Sequence, residues 1–164
     1  MIKITEDLRS NKEVGLGSIW IGNSDDESSY QFMLPGISAI LNVAVDLKPT
    51  KSCSDNIEVA QVGLIDGPGN ELLVYVSAVL ELRSMLRKHR GVLVCCHDGG
   101  RALAVATMHL FLAYTSAQCT WAPTWEGMLD LMKERLGIPL PKVHEAHKEA
   151  FGKIRWRLLS GLIA

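Results

Sequence analysis

Short apolar runs in the first half of the chain give way to longer segments of helical period in the second. Gly17-Ser-Ile-Trp-Ile-Gly22 is a set of β-formers closed by glycine and predicts a short strand. Ser24, followed by Asp25, Asp26 and Glu27, predicts an N-cap with acid in the first turn and a helix running to about Pro35. Ile37 to Val45 is almost continuously apolar and predicts a buried strand; Glu58 to Ile65 alternates imperfectly and predicts the next. Asp66-Gly-Pro-Gly-Asn70 is loop chemistry throughout. From Glu71 to about His89 the period is helical, with Leu72, Val76, Val79, Leu80 and Leu86 on one face. Gly91 to Val94 predicts a short buried strand, Cys95 to Gly100 a tight loop, and Arg101 to about Tyr114 a helix. Two more helices are predicted, Thr124 to about Leu136 and Pro141 to about Leu159, each with Thr or Pro at its start. Strands first, helices last and one strand–loop–helix unit between them predict a three-layer α/β domain with a mixed central β-sheet flanked by helices.

Composition sharpens this picture in a few places. A chain of 164 residues fits a single domain, 1–164, and no repeat or linker divides it. Apolar residues make up 48% and charged residues 21%, which is ordinary globular composition and excludes a disordered or fibrous chain. A net charge of −1 argues against a nucleic-acid binder that works by bulk positive charge, while leaving room for one small positive site. The apolar run Ala102 to Tyr114 is too short to span a bilayer and carries His109, so no membrane association is expected. The N-terminus lacks the apolar core of a signal peptide. Of four cysteines, Cys95 and Cys96 are adjacent, which suits no ordinary disulfide framework and predicts a reducing, cytoplasmic setting. The basic run Arg87-Lys-His-Arg90 reads as cations at a helix C-terminus. His144-Glu-Ala-His147 is not a zinc-protease arrangement and reads as a solvated or half-buried helix face; no metal or other cofactor is expected. Trp121 and Trp125 read as core packing.

The informative segment is Val92-Leu-Val-Cys-Cys-His-Asp-Gly-Gly-Arg101. A strand delivers a cysteine to its carboxyl end, and an arginine opens the next helix. Loop N–H groups and a helix N-terminus converging on one point make an anion trap. Arg101 adds a planar fork matching two phosphate oxygens. A cysteine at the bottom of such a cup gives up its proton more readily, because the same positive field holds the thiolate.

This segment resembles the Cys-x5-Arg signature of the protein tyrosine phosphatase superfamily. Other stretches resemble landmarks of its dual-specificity branch, in the same order over about residues 15 to 160. They are Ser18-Ile-Trp-Ile-Gly-Asn, Gly36-Ile-Ser-Ala-Ile-Leu-Asn-Val-Ala, Asp66-Gly-Pro-Gly-Asn-Glu-Leu72, the helix after Arg101, and Trp125 to Arg135. The resemblance implies a dual-specificity phosphatase acting on phosphotyrosine and on phosphoserine or phosphothreonine in a phosphorylated protein substrate, through a phosphocysteine. It assigns Cys95 as nucleophile, Arg101 to the transition-state oxygens and Asp66 as general acid and base, with Cys96, His97, Asp98, Gly99 and Gly100 forming the phosphate-binding loop.

Two registers fit the signature. With Cys95 as nucleophile the five-residue spacing to Arg101 is kept, and Asp98 stands where the family has glycine. With Cys96, Gly99 falls on that glycine and the loop is one residue short. The reading favours Cys95, because a deletion moves the arginine off the anion. Ala102 replaces the family's hydroxyl residue, which implies slower turnover, and Asp98 brings a carboxylate near a dianion site. Both departures support the rival expectation of a weak or inactive pseudophosphatase that binds phosphate or phosphopeptides.

Overall fold

The computed structural model describes residues 1–4, 16–26, 36–48, 56–116, 124–137 and 139–159, with residues 113–116, 135 and 156–159 described by backbone alone. Five strands form one sheet: β1 (Ile2–Lys3), β2 (Ser18–Gly22), β3 (Ala39–Ala44), β4 (Glu58–Leu64) and β5 (Gly91–Cys95). Their order is β1-β2-β5-β3-β4, with β1 antiparallel at one edge and every other pairing parallel. The expected mixed α/β architecture is therefore what the chain adopts. β1 escapes the sequence pattern because two residues carry no period.

The central strands β3 and β5 are buried along their whole length, as parallel strands covered on both faces must be. Their side chains alternate between two cores. Leu41, Val43, Val92, Val94 and Cys96 join the main core, to which helices α1 (Leu72–Lys88), α2 (Gly100–Ser116), α3 (Trp125–Leu136) and α4 (Glu145–Leu159) all contribute. Ile40, Leu93 and Cys95 point the other way, into a smaller cluster with Ile37. The two adjacent cysteines thus lie on opposite faces, and neither forms a disulfide.

Helix boundaries follow local chemistry. The predicted cap at Ser24 lies one residue earlier. Asn23 Oδ1 accepts the Asp26 N–H at 2.9 Å, and Asp26 Oδ2 accepts the Asn23 N–H at 3.0 Å, a reciprocal capping box. The predicted continuation to Pro35 lies outside the described residues, as do Cys53, Cys119 and Trp121. α1 buries Tyr75, Ala78, Val79, Leu82, Met85 and Leu86, whereas Leu80, expected inside, is 52% exposed. The helix is rotated so that Tyr75 and Met85, rather than Leu80, lie in the core. Arg87 and Lys88 fill its last turn. Lys88 Nζ and His89 Nε2 reach Glu58 at 3.6 and 2.6 Å. α3 starts where expected, Thr124 Oγ1 accepting the Gly127 N–H at 3.2 Å. α4 starts at Glu145, four residues after Pro141. His144 Nδ1 accepts the Ala146 N–H at 3.1 Å, and the segment before it runs along the Cys–Arg loop instead of coiling. Trp125 is buried edge-on against Phe151 at 5.4 Å, a core residue. Among the described residues, no helix is long and apolar enough to cross a membrane.

Candidate active site

β5 ends at Cys95, and the chain turns through Cys96–Gly99 into α2. Gly99 has φ +90°, a backbone state that favours glycine. A Cβ on Gly99 would meet Pro141 Cγ at 2.9 Å, and one on Gly100 would meet the Lys142 carbonyl oxygen at 2.5 Å. The segment before α4 therefore packs so closely on the loop that both positions have to be glycine. Leu103 N–H donates to Gly99 O at 2.9 Å, so Arg101 sits in the first turn of α2.

The structure separates the two cysteines that the sequence left in competition. Gly99 N–H donates to Cys96 Sγ at 3.2 Å, which places the Cys96 sulfur under a loop amide. Cys95 is 0% exposed and belongs to the cluster of Ile37, Ile40 and Leu93 on the other sheet face. The preference for Cys95 rested on loop length. The pleat adds a second consideration: Val92, Val94 and Cys96 share the face of the main core, to which α2 contributes. The glycine with positive φ lies three residues after Cys96, where the resembled signature has its glycine. The loop from Cys96 to Arg101 is correspondingly one residue short of that signature.

The remaining loop residues divide their roles. Gly100 N–H, expected to face an anion, donates to Asp98 Oδ1 at 3.0 Å, and that oxygen lies 3.7 Å from Cys96 Sγ. The Asp98 carboxylate thus caps α2. His97 is exposed, and its Nε2 lies 3.2 Å from Asp46 Oδ2.

Arg101 is 1% exposed, and its Nη1 donates to Asp46 Oδ1 and to Leu64 O, both at 2.8 Å. Its buried Nε has no hydrogen-bond partner among the described residues. One flank of the guanidinium is therefore committed, while Nε, on the opposite side, keeps a buried donor unpaired. Burial opposes the Arg101 charge. The hydrogen bond and charge of Asp46, with the charges of Cys96 and Asp66, nonetheless hold its pKa above the ordinary value. The Arg101 hydrogen bond in turn keeps the Asp46 carboxyl below its usual range.

Asp46 was not singled out from the sequence. It sits in a turn after β3, built by Asn42: its Oδ1 accepts the Ala44 N–H at 2.9 Å and its Nδ2 donates to Leu47 O at 2.7 Å. Gln61 Nε2 donates to Ala44 O and Leu47 O at 2.9 and 3.0 Å. The buried Asn42 inside an apolar run is the sequence signal for that turn.

Asp66 opens the loop after β4 with its side chain 45% exposed. Asn70 staples this loop: Oδ1 accepts the Ile65 N–H at 2.8 Å, and Nδ2 donates to Ile65 O at 2.8 Å and Gly67 O at 3.2 Å. Behind Asp66 stands His147, read from sequence as a solvated or half-buried residue and in fact 0% exposed. Its Nε2 lies 3.4 Å from Asp66 Oδ1, and its Nδ1 2.6 Å from Tyr75 Oη. Its helix carries it inward while His144, before the first turn, stays exposed. Among the described residues, no group of three or more His, Cys, Asp or Glu could hold a metal ion.

No protein-family model and no curated protein matches the sequence. Solved structures do match. Human DUSP28 superposes with a TM-score of 0.66 at 15% identity, over 87% of this chain and 94% of that one. The chain carries the fold of the dual-specificity and tyrosine phosphatases. A mouse putative dual specificity phosphatase complexed with zinc tungstate gives 0.62 at 18% identity, over 88% and 86% of the two chains. Tk-PTP in its active form gives 0.61 at 15%, over 88% and 94%. The phosphatase fold brings Cys96, Arg101 and Asp66 into one electrostatic neighbourhood around the carboxyl ends of β4 and β5.

Proposed function

We propose that the chain is a cysteine-dependent phosphoprotein phosphatase with Cys96 as nucleophile. The observation that carries this reading is the pairing of Cys96 Sγ, under the Gly99 amide, with a buried Arg101 whose Nε donor is unsatisfied. In the first step the Cys96 sulfur attacks phosphorus, the P–O bond breaks, and Asp66 gives a proton to the departing oxygen. Arg101 and the Gly99 amide hold the equatorial oxygens. In the second step water, deprotonated by Asp66, displaces the cysteine and releases inorganic phosphate. The substrate class is phosphotyrosine with phosphoserine or phosphothreonine in a protein, in the reducing cytoplasm where the thiol persists. The phosphatase neighbours support this class, and one of them is complexed with tungstate, a tetrahedral oxyanion.

One observation favours a second reading. Asp98 Oδ1 occupies the Gly100 amide at 3.0 Å, an amide an anion would otherwise use. With Ala102 in place of a hydroxyl, this describes a pseudophosphatase that holds phosphopeptides and turns them over negligibly. The deciding experiment is hydrolysis of phenyl phosphate by the parent, Cys96→Ser and Cys95→Ser. Hydrolysis lost in Cys96→Ser and retained in Cys95→Ser supports the first reading. Loss confined to Cys95→Ser returns the role to Cys95. Phosphopeptide binding by calorimetry without hydrolysis in the parent establishes the second.

A further inference from the structure

Three groups beyond the loop form a continuous polar chain into the interior. Asn70 Nδ2 donates to Tyr75 Oη at 3.4 Å, Tyr75 Oη lies 2.6 Å from His147 Nδ1, and His147 Nε2 lies 3.4 Å from Asp66 Oδ1. Tyr75 and His147 are 1% and 0% exposed, so a proton that one of them carries must be shared along the chain. The proton positions follow from the chemistry of the ends. An ionised Asp66 can only accept, so Nε2 must carry hydrogen toward it. Burial pushes the His147 pKa down, more than the Asp66 hydrogen bond and charge restore it, and His144 and Arg101 oppose a positive charge as well. The imidazole is therefore neutral, and with Nε2 protonated its Nδ1 is an acceptor. Tyr75, which accepts from Asn70, then gives its own hydrogen to Nδ1. Every donor in the chain points toward Asp66.

We propose that His147 is a positioning residue for Asp66, its Nε2–H holding Oδ1 so that the transferable proton resides on Oδ2. The inference rests on the phosphatase reading, in which Asp66 is the acid. It assigns His147 a role that the spacing to His144 does not suggest, and it explains a buried histidine on α4 facing a partly exposed aspartate 81 residues earlier. A long Nε2–Oδ1 contact is what an acid loop at rest should show, since such bonds tighten when the substrate is seated. Loss of the chain leaves Asp66 free to rotate. The cost falls on reactions that need a proton at the leaving oxygen and spares those whose leaving group departs as a stable anion.

The test uses the full chain with two substrates, phenyl phosphate and 4-nitrophenyl phosphate, whose phenols differ in acidity. Tyr75→Phe keeps the ring and removes the hydroxyl; His147→Leu keeps a buried side chain and removes the donor to Asp66. The expected result is about a 10-fold loss of kcat on phenyl phosphate and less than about a 2-fold loss on the nitro ester, in both variants. A purely structural role would lower both substrates equally, and that outcome overturns the proposal, as does no change on either. Nitrogen-15 NMR of the labelled parent at pH 7 should show the Nε2–H tautomer of a neutral His147; an Nδ1–H tautomer or an imidazolium overturns the proton assignment. A parent with no cysteine-dependent hydrolysis overturns the phosphatase reading and the catalytic use of the chain together. A hydrolysing parent indifferent to both substitutions overturns this inference alone.

Discussion

Asp46 Oδ1 and Arg101 Nη1 stand 2.8 Å apart, tying the turn after β3 to the first turn of α2 across 55 residues. With the Leu64 carbonyl on the same nitrogen, the bond fixes the guanidinium of a fully buried arginine. Asp46→Asn keeps an acceptor and removes the charge. It should cost about 1–3 kcal/mol of stability, read from urea unfolding, because a buried cation loses its ionic partner. The KM for phenyl phosphate should rise in the same variant, since the guanidinium loses its fixed orientation. An unchanged urea midpoint would show that Leu64 O alone suffices.

Asp98 brings a charge of the opposite sign to Arg101 into the same loop. Its carboxylate caps α2 through Gly100 and lies beside the Cys96 sulfur. Asp98→Asn retains the cap oxygen and discharges the site. Affinity for inorganic phosphate, measured by calorimetry, should improve about 3- to 10-fold, a modest gain because the group is exposed and screened. Stability should change by less than about 1 kcal/mol, since Asn caps as well as Asp.

Ala102 is fully buried directly after the arginine. Ala102→Ser places a hydroxyl where the resembled family has one; in the proposed mechanism it would stand beside the sulfur that leaves the phosphocysteine. Turnover should rise at least about 10-fold if release of the sulfur limits the rate. Pre-steady-state release of phenol distinguishes this: the burst should shrink relative to the steady state in the variant.

Acid should unfold the protein in two stages of the same sign. His147 has its pKa lowered from the ordinary 6.5 by burial, so the unfolded chain binds its proton first. The stability this contributes is complete above pH 6.5 and is lost as pH falls below it. Asp46 and Glu58, held below their ordinary 3.8 and 4.5 by Arg101 and His89, add a second loss under those values. Urea midpoints taken from pH 8 to 3 should fall in both windows, and His147→Gln should remove the first alone.

Most strands and helices, the strand–loop–helix unit and the phosphatase resemblance were legible in the chain, because each rests on local pattern: apolar runs with β-formers, glycines where the loop turns, an arginine opening a helix. Gly99 and Gly100 read as ends of a tight loop, but the close approach of Pro141 and Lys142 that requires glycine there was not visible. The choice between Cys95 and Cys96 was hidden. Spacing counts residues and cannot tell which one the pleat turns toward the helices; the clusters they join, Cys95 with Ile40 and Leu93 and Cys96 with the main core, are what the fold adds. Asp46 and His147 were hidden for a different reason. Their partners lie 55 and 81 residues away, so a polar residue in a turn and a histidine in a helix looked ordinary until the fold closed. The sequence by itself determined the fold and the chemistry's raw materials. Tertiary structure decided which sulfur, which carboxylate and which imidazole meet, because those contacts exist only where separate elements pack against one another.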